Sequence, residues 1–126
     1  FFRDNCYVAR KGGRLVGWVM GFLSTRKPDT YFLWQIGIDP GMQRNGLATE
    51  LLQFVEDDLQ GSNCRRIELT IDPENAPSCE LFKKNGYRNR SRDEGAPTTR
   101  VEGREAIIDY YSPGRHFMIY DKDISV

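Results

Sequence analysis

The most hydrophobic stretch of the chain, Thr30–Ile38 (TYFLWQIGI), ends abruptly at the breaker segment Asp39-Pro40-Gly41. A near-continuous apolar run of this length is typical of a central strand that is buried on both faces. In the segment Leu47–Leu59, apolar residues recur at helical spacing, which predicts an amphipathic helix closed by Gly61. A buried strand that leads through a short glycine-bearing segment into a helix favours folds that combine helices with a sheet.

The remaining segments predict short strands and one further helix. Gly12 and Gly13 favour a tight turn between the first two strands, and Asn75 is placed to cap the second helix. Residues 89–103 are polar and charged, which predicts a long loop or an irregular hairpin. These further predicted elements are, in chain order, the strands Cys6–Arg10, Arg14–Leu23 and Arg65–Ile71, the helix Ala76–Asn85, and the strands Glu105–Tyr111 and His116–Asp121. The order indicates one mixed α/β domain (α+β) over residues 1–126 with a single sheet.

Length and charge exclude several classes of function. With 126 residues the chain has room for one domain, and its 18 basic and 18 acidic residues leave no net charge. This balance argues against a general nucleic-acid binder, which needs a basic face to offset phosphates. No apolar run approaches the roughly 18 residues of a membrane-spanning helix, and no signal peptide is recognisable. We therefore expect a cytoplasmic protein with neither nucleic-acid nor membrane partners.

The cysteines and the single histidine predict no metal site. Cys6, Cys64 and Cys79 are odd in number and share no metal-type spacing, which favours reduced thiols. His116 alone excludes any site that needs two imidazoles, and a zinc centre built from these four residues would lack the C-x-x-C pair that is typical of such centres. His116 is interpreted as structural.

The segment Gln43–Thr49 (QRNGLAT), between the buried strand and the first helix, carries the clearest chemical signal. A glycine directly before a helix lets backbone amides at the positive end of the helix dipole face an anion such as pyrophosphate. Arg44 adds positive charge there. Neither G-x-G-x-x-G nor G-x-x-x-x-G-K-[ST] is present, which disfavours dinucleotide and nucleoside-triphosphate folds. For one glycine before a helix, an ordinary loop–helix junction is the alternative.

The pattern Gln43-x-x-Gly46-x-Ala48, after a strand that ends in Asp39-Pro40, resembles the acyl-CoA signature of the GCN5-related N-acetyltransferase (GNAT) superfamily. The resemblance extends from about Cys6 to Tyr87. It implies a GNAT fold, in which helices flank one mixed, mostly antiparallel central sheet and the two central strands splay apart. The family's first strand and first two helices have no counterpart in the sequence, which begins without Met, so we expect that an N-terminal segment is missing. Residues of the second helix region carry the resemblance further, namely Asn75, Ala76, Ser78, Leu81, Phe82, Gly86 and Tyr87.

A narrower resemblance is to the family members of ectoine biosynthesis that acetylate L-2,4-diaminobutyrate. It rests on Pro28-Asp29-Thr30, on Trp34-Gln35 and on the run Glu68–Asn75, with Ser78 and Leu81-Phe82. The resemblance implies an acetyltransferase that passes an acetyl group from acetyl-CoA directly to a small amine, with diaminobutyrate or a similar diamino acid favoured. A protein or peptide N-acetyltransferase, a non-catalytic CoA-binding module and a simple interaction domain are the alternatives. A homodimer is expected only by analogy with other GNAT domains.

The resemblance implies a cofactor site in which the pantetheine arm adds to the free edge of the strand Trp34–Ile38, in the splay beside Arg65–Ile71. Gly37 indicates a bulge or a close approach there, or a simple packing glycine. The implied cofactor-binding residues are Ile36, Ile38, Gln43, Arg44, Asn45, Gly46, Leu47, Ala48, Thr49, Asn75, Ser78 and Phe82.

Amine acetylation needs a proton acceptor, because a protonated alkylamine is not a nucleophile. Glu68 is the candidate catalytic base and substrate anchor, against the alternative of a solvent-facing glutamate paired with Arg65 or Arg66. Trp34 and Asp29 are candidate acceptor-binding residues, against a core tryptophan and a plain turn aspartate. The sequence identifies no arginine for the carboxylate of a diamino acid.

Phe82 stands where many GNAT enzymes carry a tyrosine that protonates the leaving thiolate. Phenylalanine cannot donate a proton, so the thiolate leaves unassisted or another group is used. Tyr87, Tyr110 and Tyr111 are the candidates, and the sequence does not rank them. Cys79, one helical turn before Phe82, is interpreted as a packing residue, since nothing nearby in the sequence lowers its pKa.

Overall fold

A computed structural model of the protein describes residues 6–43 and 46–125. Within these residues the chain forms eight strands, two α-helices and two 3-10 helices. It divides into two compact units. The first unit comprises Phe1–Ile67 with Asp123–Val126, and the second comprises Glu68–Lys122.

The first unit is an antiparallel three-stranded meander covered by a helix. Its strands β1 (Cys6–Lys11), β2 (Arg14–Leu23) and β3 (Thr30–Ile38) pair in chain order, close to the predicted bounds. The helix α1 (Leu47–Gly61) packs on these strands. Its apolar stripe is buried, as helical spacing predicted, through Leu51, Leu52, Val55 and Leu59.

The prediction that β3 is buried on both faces is wrong for its second half. Tyr31 and Leu33 are buried, but Trp34 is 65% exposed. The pairing explains the change, because Met20 pairs with Gln35 while the next residue of β2, Gly21, pairs with Leu33. Trp34 is therefore the extra residue of a β-bulge, which breaks the alternation of side chains along the strand.

The end of α1 also differs from the prediction. Gly61 lies inside the last turn of the helix, and the left-handed residue that follows is Asn63, with φ +65°. Its amide donates to the carbonyl of Gln60 at 3.2 Å. Asparagine tolerates this conformation because its short polar side chain can bond locally, so a glycine is not required at this chain reversal.

The second unit takes the rest of the chain from Glu68 to Lys122. Its strands follow the order β4, β8, β7, β6, and the short β5 pairs with β8. The interpretation of residues 89–103 as a loop or irregular hairpin is only partly right, because β6 pairs regularly with β7 across a tight turn at Glu102 and Gly103. The elements are β4 (Arg66–Ile71), α2 (Ala76–Lys84), β5 (Arg88–Asn89), β6 (Thr98–Val101), β7 (Arg104–Ser112) and β8 (Arg115–Asp123).

Neither α1 nor α2, the α-helices of the described ranges, has the length and hydrophobicity that crossing a bilayer requires.

A buried carboxylate holds the segment after β5 in the second unit. Asp121 is 2% exposed and accepts a hydrogen bond from the Arg90 guanidinium at 2.6 Å. The same guanidinium donates from Nε to the exposed carboxylate of Asp93 at 3.3 Å. The bond to Asp121 raises the pKa of Arg90, so the arginine stays charged. One arginine thus bridges a buried and an exposed carboxylate.

We predict that Asp121→Asn lowers the free energy of unfolding by about 2–4 kcal/mol, since it leaves a half-buried guanidinium short of a charged partner. Asp93→Asn is the matched control on the same arginine, and it should cost only about 0–1 kcal/mol because its ion pair is exposed. Urea unfolding followed by circular dichroism measures both. Equal losses in the two variants would show that burial does not distinguish the carboxylates.

Candidate active site

The predicted site residues divide between the two units. Those of the first unit are Asp29, Trp34, Ile36, Ile38, Gln43, Gly46, Leu47, Ala48 and Thr49, and those of the second are Glu68, Asn75, Ser78 and Phe82. Arg44 and Asn45 lie outside the described residues. The predicted splay involves strands of both units and stays a prediction.

In the first unit, α1 begins at Gly46 in the left-handed conformation that favours glycine, with φ +78°. The carbonyl of Gly46 accepts the first helical bond from the Glu50 amide at 3.0 Å, and no side-chain cap is formed at this position. A Cβ atom added at Gly46 would meet nothing within 4 Å. The space around Gly46, directly before the helix, is therefore open, and the helix N-terminus has the polarity that suits an anion.

The other helix of the described ranges begins differently. Asn75 accepts a hydrogen bond from the Ser78 amide at 3.2 Å through its side-chain Oδ1, as its N-cap prediction required. One of the first-turn amides of α2 is thus satisfied within the protein. The N-cap residue of α1 is a glycine, which has no side chain to accept such a bond.

The segment that leads into α1 is tied to β3 and β2. The Asp39 carboxylate accepts from the Gly41 amide at 2.8 Å and pairs with Arg14 at 3.4 Å. The Gln43 side chain donates from Nε2 to the carbonyl of Ile38 at 3.4 Å. Two predicted site residues, Gln43 and Ile38, are thereby brought together at the end of β3.

The exposed half of β3 carries the candidate acceptor residue Trp34. Its 65% exposure rules out the alternative of a core tryptophan. A glycine is required at position 37 by packing, because a Cβ there would lie 2.1 Å from the Trp18 ring. The bulge of β3 falls at Trp34 and not at Gly37, so the contact with Trp18 favours the alternative of a packing glycine.

Asp29 lies in the turn before β3 and is held through its backbone. Its carbonyl accepts from the amides of Arg65 at 2.8 Å and Arg66 at 3.2 Å, and from the thiol of Cys64 at 3.3 Å. Its exposed carboxylate accepts a long bond of 3.4 Å from the neighbouring Thr30 hydroxyl. The backbone is fixed while the carboxylate stays at the surface.

In the second unit, the alternation along β4 decides where Glu68 points. Leu69 and Ile71 are buried, while Glu68 and Thr70 share the other face and are half-buried. The Thr70 hydroxyl is 2.8 Å from the Tyr111 hydroxyl. Burial raises the pKa of Tyr110, and nearby groups that include Tyr111 and Glu68 raise it further. Glu68 therefore lies within electrostatic reach of Tyr110, whose ring packs edge-on against Tyr111.

A large bulge in β7 contains Tyr110 and Tyr111 and brings them beside the face of β4 that carries Glu68 and Thr70. Ile107 pairs with Phe117 and Ser112 pairs with Arg115, so residues 108–111 stand opposite His116 alone. Within these four residues, Asp109 adopts the left-handed backbone conformation, with φ +51°.

The bulge is closed by two hydrogen bonds of Asp109. Its amide donates to His116 Nδ1 at 2.9 Å, and its carboxylate accepts from the Gly114 amide at 2.8 Å. This supports the structural interpretation of His116. The sequence pattern predicted an ordinary strand here and carried no signal for the bulge.

Phe82 and the nearby Cys79 are buried on α2. Phe82 is 1% exposed and packs edge-on against Tyr87, with ring centroids 5.1 Å apart. Burial raises the pKa of the Cys79 thiol, although the charge of Arg104 opposes the shift. A neutral, buried thiol agrees with the interpretation of Cys79 as a packing residue.

Across residues 6–43 and 46–125, His, Cys, Asp and Glu side chains form no group of three or more that could hold a metal ion. Within the same residues, Cys6, Cys64 and Cys79 form no disulfide.

The family model described as Acetyltransferase (GNAT) family matches residues 1–87. The L-2,4-diaminobutyric acid acetyltransferase of Marinococcus halophilus is 40% identical over 84 residues, which are 67% of this chain and 49% of that protein. The enzyme of the same name from Halomonas elongata is 38% identical over 84 residues, 66% of this chain and 44% of its own length. The chain thus spans about half the length of these relatives.

Solved structures show the same fold. A GNAT-family protein from Desulfovibrio desulfuricans matches with a TM-score of 0.77 at 18% identity, over 95% of this chain and 68% of that chain. Diaminobutyrate acetyltransferase EctA from Paenibacillus lautus, solved with L-2,4-diaminobutyric acid and coenzyme A, matches with a TM-score of 0.67 at 23% identity, over 99% of this chain and 74% of that chain. The expectation of an α+β GNAT fold is confirmed, and the chain belongs to the acetyltransferase (GNAT) family.

Proposed function

We propose that the protein transfers an acetyl group from acetyl-CoA to a primary amine of a small molecule, with L-2,4-diaminobutyrate or a similar diamino acid as the acceptor. The start of α1 carries the proposal. It is a helix N-terminus that follows a left-handed glycine with open space around it, inside the stretch that matches the family model. The names of the relatives at about 40% identity support the choice of acceptor.

In this proposal, the first-turn amides of α1 bind the pyrophosphate of acetyl-CoA. Gly46 keeps the approach open, because it carries no side chain and nothing lies within 4 Å of the place that a Cβ would take. The guanidinium group of Arg44 contributes a positive charge that attracts the pyrophosphate. Ile36 and Ile38 offer backbone amides and carbonyls to the pantetheine arm, and Asn75, Ser78 and Phe82 remain proposed contacts of the same cofactor.

The chemistry requires the acceptor amine to lose a proton before it attacks. An alkylammonium has a pKa near 10.4, so Glu68 accepts one proton, directly or through water. The amine nitrogen then forms a bond to the thioester carbonyl carbon, and a second proton leaves the nitrogen as the tetrahedral adduct collapses. The carbon–sulfur bond breaks, and the CoA thiolate leaves and takes up one proton. Acetyl-CoA and the ammonium thus give the amide, CoA thiol and one released proton.

Tyr110 is the proton donor that we assign to the thiolate. Tyr87 is buried against Phe82, and the Tyr111 hydroxyl is bonded to Thr70. Tyr110 is 39% exposed and lies within the electrostatic reach of Glu68, and burial raises its pKa. A protonated phenol beside the base is available to give up a proton when the thiolate forms.

The proposal is tested by thiol release from acetyl-CoA with the full-length protein and a panel of amines. Turnover with diaminobutyrate is expected. Acetylation of peptide N-termini and not of small amines would instead indicate a protein acetyltransferase. A melting temperature that rises with CoA but without turnover would indicate a non-catalytic CoA-binding module. If the protein shows no turnover and its melting temperature does not respond to CoA, the proposal is refuted.

We predict that Glu68→Gln lowers kcat/KM for the amine by about 100-fold or more, because glutamine cannot accept a proton. The remaining rate should rise about tenfold per pH unit up to the pKa of the amine, since solution must now supply the neutral form. Thiol release between pH 7 and 9.5 measures both effects.

Glu102→Gln is the matched control for Glu68→Gln. Glu102 is exposed at the β6–β7 turn, and its variant should retain the rate and the pH profile of the parent. An unchanged rate in Glu68→Gln would remove Glu68 from the role of base.

We predict that Gly46→Ala weakens CoA binding by about 10-fold or more, because a methyl group enters the open space before the first-turn amides. The left-handed backbone also costs stability, about 1 kcal/mol for an L-residue. Gly103→Ala is the control for that cost, since Gly103 has φ +76° and equally open surroundings at the β6–β7 turn. Calorimetry with CoA and thermal unfolding separate the two effects. Equal CoA affinity in both variants would contradict a pyrophosphate site at Gly46.

A further inference from the structure

Arg115, at the start of β8, is a surface cation held by aromatic rings. Its guanidinium carbon lies 5.9 Å from the ring centroid of Tyr111 and 5.3 Å from that of Phe117. Within the described part of the chain it forms no ion pair. Stacking on aromatic faces restricts the guanidinium while its donors keep facing solvent.

The rings that hold Arg115 also connect it to Glu68 within the second unit. The ring of Tyr111 packs edge-on against Phe117 at 4.7 Å and against Tyr110 at 4.7 Å. The Tyr111 hydroxyl is bonded to Thr70, which lies two residues from Glu68 on the same face of β4. One continuous patch, formed by Thr70, Tyr110, Tyr111 and Phe117, therefore connects the strand face that carries Glu68 to the guanidinium of Arg115.

We propose that Arg115 binds the carboxylate of the acceptor and so restricts the enzyme to amines that are also carboxylic acids. The inference rests on the proposed function and names its substrate class more closely. A zwitterionic diamino acid presents an ammonium to Glu68 and a carboxylate to Arg115, which matches the charges of the patch. Guanidinium binds carboxylate through paired, charge-assisted hydrogen bonds, and the stacked rings fix its orientation before the ligand arrives.

Two other features strengthen the assignment of Arg115. The large bulge of β7 is stabilised by the hydrogen bond from the Asp109 amide to His116, and it places Tyr111 in contact with both Thr70 and Arg115. Other arginines of the second unit have their guanidinium groups engaged, as Arg90 with Asp121 and Arg92 with Glu105. Arg115 thus supplies the carboxylate partner that the sequence pattern left unassigned.

The test compares L-2,4-diaminobutyrate with 1,3-diaminopropane, which is the same diamine without the carboxylate. Arg115→Gln should lower kcat/KM for diaminobutyrate by about 10- to 100-fold, mainly through KM, and change that for diaminopropane by less than about twofold. Arg115→Lys should recover part of the loss, because it restores the charge without the paired donors. Arg100→Gln, an exposed arginine on β6 of the same unit, is the control and should change neither substrate.

Calorimetric binding of the same two diamines provides a readout that does not depend on turnover. The inference is supported if the parent protein binds diaminobutyrate more tightly than diaminopropane and Arg115→Gln loses this preference. This holds even if no acetyl transfer is observed, because a lack of transfer contradicts only the proposed activity. Equal losses for the two diamines in Arg115→Gln, an unchanged preference for diaminobutyrate, or no binding of diaminobutyrate by the parent protein would overturn it.

Discussion

An antiparallel ladder bonds each residue to one partner, so a residue in excess on one strand must leave the ladder and turn its side chain elsewhere. Both units place chemically distinctive side chains at such an excess. In the first unit the extra residue of β3 is Trp34, and it is largely exposed. In the second unit the excess in β7 contains Tyr110 and Tyr111 beside the face of β4 that carries Glu68. The candidate acceptor residues thus depend on register, which is a property of paired strands.

The two bulges are stabilised by different means. At the β3 bulge, β2 contributes Gly21, where a Cβ would lie 2.4 Å from the carbonyl of Phe32 and from the Tyr31 ring, so only glycine fits. At the β7 bulge the strained residue is Asp109, which is not glycine, and its amide and carboxylate are both engaged. A missing side chain permits the first bulge, whereas added hydrogen bonds offset the strain of the second.

Much of the fold could be predicted from the sequence because its signals are local. The bounds of β2, β3 and the start of α1 follow from apolar runs and their breakers, and Asn75 caps α2 as its type suggests. Register is not a local signal, so neither the exposure of Trp34 nor the bulge of β7 could be anticipated.

For the site, the sequence identified single residues better than their surroundings. Strand alternation is enough to place Thr70 on the face of Glu68, and that inference could have been drawn. Alternation likewise places Phe117 on the face of Arg115, but nothing in the sequence couples Arg115 to Tyr111, since that contact depends on how β7 and β8 pair. The family resemblance is confirmed by the match over residues 1–87, whereas the roles of individual residues stay predictions.

The patch around Glu68 combines groups with opposite requirements for the proposed reaction. A base works when it is ionised, and a proton donor works when it is neutral. Burial is the main reason that the pKa of Tyr110 is raised, and the nearby carboxylates act in the same direction, so the negative charge that suits a base also keeps the phenol protonated. The proposed roles of Glu68 as base and Tyr110 as proton donor therefore do not oppose each other. Because the two residues lie on different strands, a change at Asp109 or His116 can alter their separation without touching either residue, which makes the β7 bulge part of the candidate site.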